Sequence, residues 1–165
     1  MRYLYCIFIL FHLNIYSQTK HRYSEVYKTA FKIDSAKGNA TEFELKIDSI
    51  NVQGYKYANK IESKCNFEKS KTELNVNYYF QDNKVILVMV KEPAPGGIKE
   101  LFSESIFFVK NDRIVDMDFR NTVLPCMAVP NDKNIFELYG YNKAISGKFM
   151  ERYIFELLEK IKNHR

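Results

Sequence analysis

Between Ile61 and Phe119 the chain alternates apolar and polar residues with period two, segment after segment, and short polar turns punctuate the run. Ile61, Ser63, Cys65 and Phe67 alternate with Glu62, Lys64 and Asn66. Leu74, Val76, Tyr78 and Phe80 do the same with Asn75 and Asn77. Side chains two apart share one face of a strand, so this spacing fits half-buried strands and not helices. Asp82-Asn83 then leads into Lys84–Glu92, where Val85 to Val90 is apolar on both faces. A strand of that kind belongs in the middle of a sheet. Ser105–Lys110 and Arg113–Phe119 follow around Asn111-Asp112. Together these segments predict antiparallel strands joined by tight turns.

The two turns echo one another. Tyr79-Phe80-Gln81-Asp82-Asn83-Lys84-Val85-Ile86 resembles Phe107-Phe108-Val109-Lys110-Asn111-Asp112-Arg113-Ile114-Val115, read with one extra residue at the second turn. Two similar hairpins are the expectation. Ser146–Asn163 carries Phe149, Met150, Tyr153, Ile154, Leu157, Leu158 and Ile161 as one apolar stripe, with Glu151, Arg152, Glu156, Glu159, Lys160 and Lys162 on the other faces. This is the strongest helix signal in the chain, and the stripe is read as core packing. Tyr23, Val26, Tyr27, Ala30 and Phe31 have helical spacing and predict a short helix ending at Lys37-Gly38-Asn39. Thr41–Asn59 fits both templates. Phe43, Leu45 and Ile47 alternate, yet Glu42, Glu44, Leu45 and Lys46 are good helix formers, and helix is the expectation. Lys91–Lys99 and Asn121–Asn134 hold the prolines and are read as irregular. The expected fold is therefore α+β: an antiparallel meander of about five strands packed against a C-terminal amphipathic helix and one or two N-terminal helices.

The start of the chain bears on compartment. Arg2 precedes the apolar run Tyr3–Phe11, which His12 and Asn14 weaken, and Ser17 is a small residue suited to cleavage. Residues 1–17 read as a secretory signal peptide, with the mature domain at 18–165. The run is shorter than the roughly 20 apolar residues that a membrane-spanning helix needs, so no stable anchor is expected after cleavage. Removal of Arg2 changes the formal charge from +5 to +4. Lys56, Lys60, Lys64, Lys69 and Lys71 are interleaved with Glu62, Glu68 and Glu73, which describes a mixed solvated surface and not a nucleic-acid stripe. Cys65 and Cys126 remain after cleavage. In an oxidising compartment they predict a disulfide, with two separately buried thiols as the rival.

Catalytic equipment is sparse. His21 and His164 each lie near a terminus, and the sequence has no nucleophile elbow, zinc-protease motif, phosphate loop or EF-hand. No metal and no cofactor is expected. Asp116 and Asp118 fall two apart on one strand, beside Asp112, and paired carboxylates can serve acid–base work. With Arg113 and Arg120 close by, a solvated, salt-bridged face is the reading preferred here. Tyr55, Tyr57, Tyr139 and Tyr141 beside glycines could offer aromatic ledges for recognition. Asn39-Ala40-Thr41, Asp34-Ser35-Ala36 and Asp48-Ser49-Ile50 match short glycosylation sequons.

The leader ending Ser17-Gln18, the Lys/Asn/Ile/Tyr-rich composition and the Tyr-Tyr-Phe-x-Asp-Asn-Lys hairpin give a chain that looks like small exported proteins of Bacteroidota. A helix followed by a meander also looks like cystatin-like or nuclear-transport-factor-like architecture. Such folds host inhibitors, immunity proteins, binding modules and a few enzymes. The expected function is an exported, non-catalytic binding module of inhibitor, immunity or accessory type. A carboxylate hydrolase without histidine and a structural envelope protein are the alternatives. The expected partner is another protein, met through Pro93, Pro95, Gly96 and Gly97, with Tyr139 and Tyr141 as aromatic anchors.

Overall fold

Seven strands pair in the order in which they occur, every neighbour antiparallel. They are β1 (Thr41–Ile47), β2 (Ile50–Lys56), β3 (Lys60–Phe67), β4 (Thr72–Gln81), β5 (Lys84–Pro93), β6 (Phe102–Lys110) and β7 (Arg113–Thr122). One helix, α1, covers residues 23–35, and a second, α2, covers Met150–Asn163. This is a computed structural model, and it describes residues 23–36, 38–69, 72–93, 102–122 and 150–164. The chain divides into two compact units after Lys37. In the first, α1 turns its smallest apolar residue, Ala30, inward, and Phe31 is 73% exposed. Glu25 and Lys28 pair at 2.7 Å along its surface.

The second unit is built on the sheet. One face carries Phe43, Ile47, Val52, Ile61, Cys65, Leu74, Val76, Tyr78, Val88, Val90 and Phe107, which form a single buried cluster with Ile154, Leu157, Leu158 and Ile161 of α2. Of the stripe read from the sequence, Ile154, Leu157, Leu158 and Ile161 are thus the buried side of α2, with Tyr153 partly buried beside them, and Phe149 lies outside the described residues. Each large apolar side chain removed from water contributes roughly 1.5–3 kcal/mol before chain entropy is set against it. The hydroxyl of Tyr78 on β4 donates to the Ile154 carbonyl at 2.8 Å. At the other end of α2, Lys56 Nζ donates to the His164 carbonyl at 2.8 Å, satisfying an acceptor just past the helix end.

The opposite face of β1 to β4 is polar. Lys64 and Glu73 pair at 2.7 Å across β3 and β4. Glu68 accepts from Lys46 and Asn51, and these hydrogen bonds hold its carboxyl below the usual range. Further along, the same face turns apolar and buried at Tyr79, Leu87, Ile106 and Phe108. That explains why β5 reads apolar on both sides.

Three sequence expectations are corrected. The α+β fold of about five strands is overturned by a mostly β, seven-strand sheet with one helix at each end of the described chain. The difference lies in Thr41–Asn59, which is the β1–β2 hairpin and not a helix. Phe43, Leu45 and Ile47 point to the core, while the helix formers Glu42, Glu44 and Lys46 occupy the exposed face. Burial of the alternating side outweighs propensities of a few tenths of a kcal/mol per residue. Gly54 settles the matter locally, since a Cβ there would lie 1.9 Å from the Glu62 carbonyl oxygen. Second, Lys91, Glu92 and Pro93 are not irregular: β5 continues through Pro93, opposite Phe102, and residues 94–99 of the expected loop lie outside the described residues. Third, the echoing hairpins have equal turns. Gln81–Lys84 and Lys110–Arg113 each enclose two residues, all four with φ between 50° and 60°. The extra residue falls later in each hairpin, as a bulge at Ile86 and at Val115.

Candidate functional site

Among the described residues β7 is the last strand of the sheet, and its composition should by ordinary patterning bury one side. The Asn111-Asp112 turn brings the chain back along β6, and the bulge at Val115 resets the alternation. Beyond the bulge, Met117 lies opposite Phe107 and Phe119 opposite Ser105, on the face that bears the core. Phe107 and Ser105 are fully buried, whereas Met117 is 45% and Phe119 38% exposed. Val115 itself is 54% exposed. Large apolar side chains so grouped at a sheet edge are a marker of association surfaces.

The floor beside them is polar. Glu92 of β5 stands opposite Ser103 of β6, and Val90 opposite Ser105. Glu92, Ser103 and Ser105 are all buried on the core-bearing face. Ser103 Oγ has no hydrogen-bond partner among the described residues. A buried hydroxyl left in that state costs about 1–3 kcal/mol. Buried polar groups of β5 and β6 thus lie beside the exposed Met117 and Phe119, at the end of the sheet where β5 finishes at Pro93.

Pro93 is therefore at this end of the sheet, half-buried as the last residue of β5. Pro95, Gly96, Gly97, Tyr139 and Tyr141 lie outside the described residues. Cys65 is a free thiol in the core, and Cys126, its expected disulfide partner, lies outside the described residues. Burial pushes the Cys65 thiol up to about 12, against a smaller opposing hydrogen bond from Ser63. Tyr55 is 44% exposed on the polar face of β2, opposite Glu62. Tyr57 donates to Glu62 at a long 3.5 Å. His21 lies outside the described residues. His164 borders an open groove with Leu45, Asp48 and Lys160.

Asp116 and Asp118 are both on β7, on the face opposite Met117 and Phe119. Each uses one carboxylate oxygen locally. Asp116 Oδ1 accepts from the Met117 N–H at 2.8 Å, and Asp118 Oδ1 from the Phe119 N–H at 2.9 Å. Among the described residues no group of three or more His, Cys, Asp or Glu could hold a metal ion, and no helix is long and apolar enough to cross a membrane. The chain matches no family model, no curated protein and no solved structure.

Sequence reasoning missed Met117 and Phe119, because an alternating apolar pair reads as core wherever it falls. It also missed Glu92, Ser103 and Ser105. The signal for these was present: Ser103 and Ser105 take the inward parity of a strand whose other inward residues are Phe107 and Val109.

Proposed function

We propose that the chain is an exported, non-catalytic binding module whose partner is another protein, held at the β7 end of the sheet. The observation that carries this reading is the exposure of Met117 and Phe119 on the same face as the buried core. Burying what remains exposed of the two side chains against a partner contributes roughly 1–2.5 kcal/mol before the losses of association. The carboxylates at Asp116 and Asp118 give the hydrolase reading little support. Each accepts from the next residue of its own strand, and both lie on the face opposite Met117 and Phe119.

The test compares wild type with a Met117→Asp, Phe119→Asp double variant, both purified from the exported fraction and checked for native circular dichroism. A protein cross-linked to wild type at β7 is identified, purified and titrated. Affinity at least tenfold weaker in the folded variant supports the reading. Equal affinity of the two overturns it. N-terminal sequencing of the exported protein tests the leader, and a start at Gln18 is expected.

A further inference from the structure

The face of β2, β3 and β4 that turns away from α2 carries two rows of polar side chains, set by the strand register. Tyr55, Glu62 and Asn77 stand opposite one another in the first row, and Gln53, Lys64 and Asn75 in the second. Strands lie about 4.8 Å apart and alternate residues about 6.8 Å apart, so the six side chains cover about 10 Å by 7 Å. That is the footprint of one or two sugar rings. The charged members are held in place. Glu62 pairs with the buried Lys60 and accepts from Tyr57, and Lys64 pairs with Glu73. Glu62 and Lys64 still leave 38% and 41% of their side chains exposed, beside the exposed Tyr55.

Lys60 and Lys64 are each matched by a carboxylate, and β1 adds Glu42 and Glu44 on the same face. A surface without a basic excess does not collect phosphates or acidic glycans. A protein interface gathers round an apolar centre, and these rows offer one ring. What they supply is an aromatic side chain beside amides that both donate and accept, at Gln53, Asn75 and Asn77, and a carboxylate that accepts, at Glu62. A neutral sugar is the complement, with an apolar face of C–H groups and a rim of hydroxyls that donate and accept in turn. Groups already fixed by partners of their own also lower the ordering cost of binding. We infer that the polar face of β2 to β4 binds a neutral oligosaccharide, with one sugar ring stacked on Tyr55 and its hydroxyls bonded to Glu62, Asn77 and their row neighbours. The site is separate from the proposed protein contact at β7 and is tested without it.

The experiment titrates the full exported chain with cellohexaose, maltohexaose, mannohexaose and chitohexaose, and with a heparin hexasaccharide as the anionic probe. Affinity is read by calorimetry, and the site by NMR shifts of the Gln53, Asn75 and Asn77 side-chain amides. At least one neutral probe is expected to bind with a Kd below about 10 mM and to move those amides. Tyr55→Ala should weaken that binding about tenfold, and Tyr55→Phe, which keeps the ring, should bind like wild type. Failure of all four neutral probes overturns the inference. So does tighter binding of heparin, or binding that leaves the three amides unmoved. Equal affinity of Tyr55→Ala and wild type also overturns it, as does a Tyr55→Phe chain no tighter than Tyr55→Ala, since the ring would then not be the platform. Should Tyr55→Ala not fold, Asn77→Ala decides in its place. Binding about fivefold weaker supports the site, and unchanged binding overturns it.

Discussion

Tyr78 of β4 and Ile154 of α2 are joined by a 2.8 Å hydrogen bond from the phenol to the helix carbonyl, with both residues fully buried. Burial holds the Tyr78 hydroxyl well above the usual phenol range. The bond fixes one rotational setting of α2 on a sheet face whose other side chains in that cluster are mostly aliphatic or phenylalanine and would tolerate several. Tyr78→Phe is expected to lower stability by about 0.5–1.5 kcal/mol, measured by urea unfolding. The same variant should broaden the NMR signals of Leu157 and Leu158 methyl groups.

Gly54→Ala should be far more damaging. The added methyl would meet the Glu62 carbonyl at 1.9 Å, and backbone cannot step aside as a side chain can. A loss of about 3 kcal/mol or more is expected in the same assay, at the upper end of overpacking effects. A loss under about 1 kcal/mol would mean that β2 and β3 can separate here without consequence.

Asp112→Gly should stabilise. Asn111 and Asp112 have φ of 53° and 56°, a region where side chains other than glycine are strained. Asn-Gly is the pair best suited to this two-residue turn. A gain of up to about 1 kcal/mol is expected, and Asn83→Gly in the twin turn should behave alike.

Cys65 makes stability fall in alkali. The thiol keeps its proton up to about pH 12 in the fold, against an ordinary value of 9.0. Between those values the unfolded chain has released that proton and the folded chain has not. The unfolded state binds fewer protons, so stability declines as pH rises, by about 1.4 kcal/mol per unit. The full contribution is present below pH 9. Tyr153 is raised by burial as well and acts in the same direction. Unfolding curves at pH 7.5 and 10.5 should show a smaller alkaline loss in Cys65→Ala than in wild type. At pH 8 the native thiol should resist alkylation that labels it fully in urea.

Ser103→Ala tests the buried hydroxyl on β6. It removes a buried hydroxyl with no partner among the described residues, so stability should hold or rise by about 1 kcal/mol. A loss of similar size would show that the hydroxyl is satisfied in solution.

The middle of the sheet was legible because its alternation is unambiguous and its turns carry Asn and Asp in pairs. The β1–β2 hairpin was not, because the Glu and Lys residues on its outer face are the ones that also favour helix. Only the pairing partner, with Val52 against Leu45 and Gly54 against Ser63, distinguishes the two readings. Of the candidate site, Pro93 was named from composition, and it is the last residue of β5. Met117 and Phe119 were not, since exposure depends on where the sheet stops, and no local pattern marks the last strand.

The bulges at Ile86 and Val115 have a bearing on how this gene can change length. Elsewhere in a ladder, losing one codon swaps every later side chain between core and water. At these two positions the neighbours already pair as though the residue were absent, Leu87 with Tyr79 and Asp116 with Phe108. The sheet therefore has two sites where a one-residue deletion leaves both faces intact, and descendants of this chain that are shorter within a strand should be shorter there.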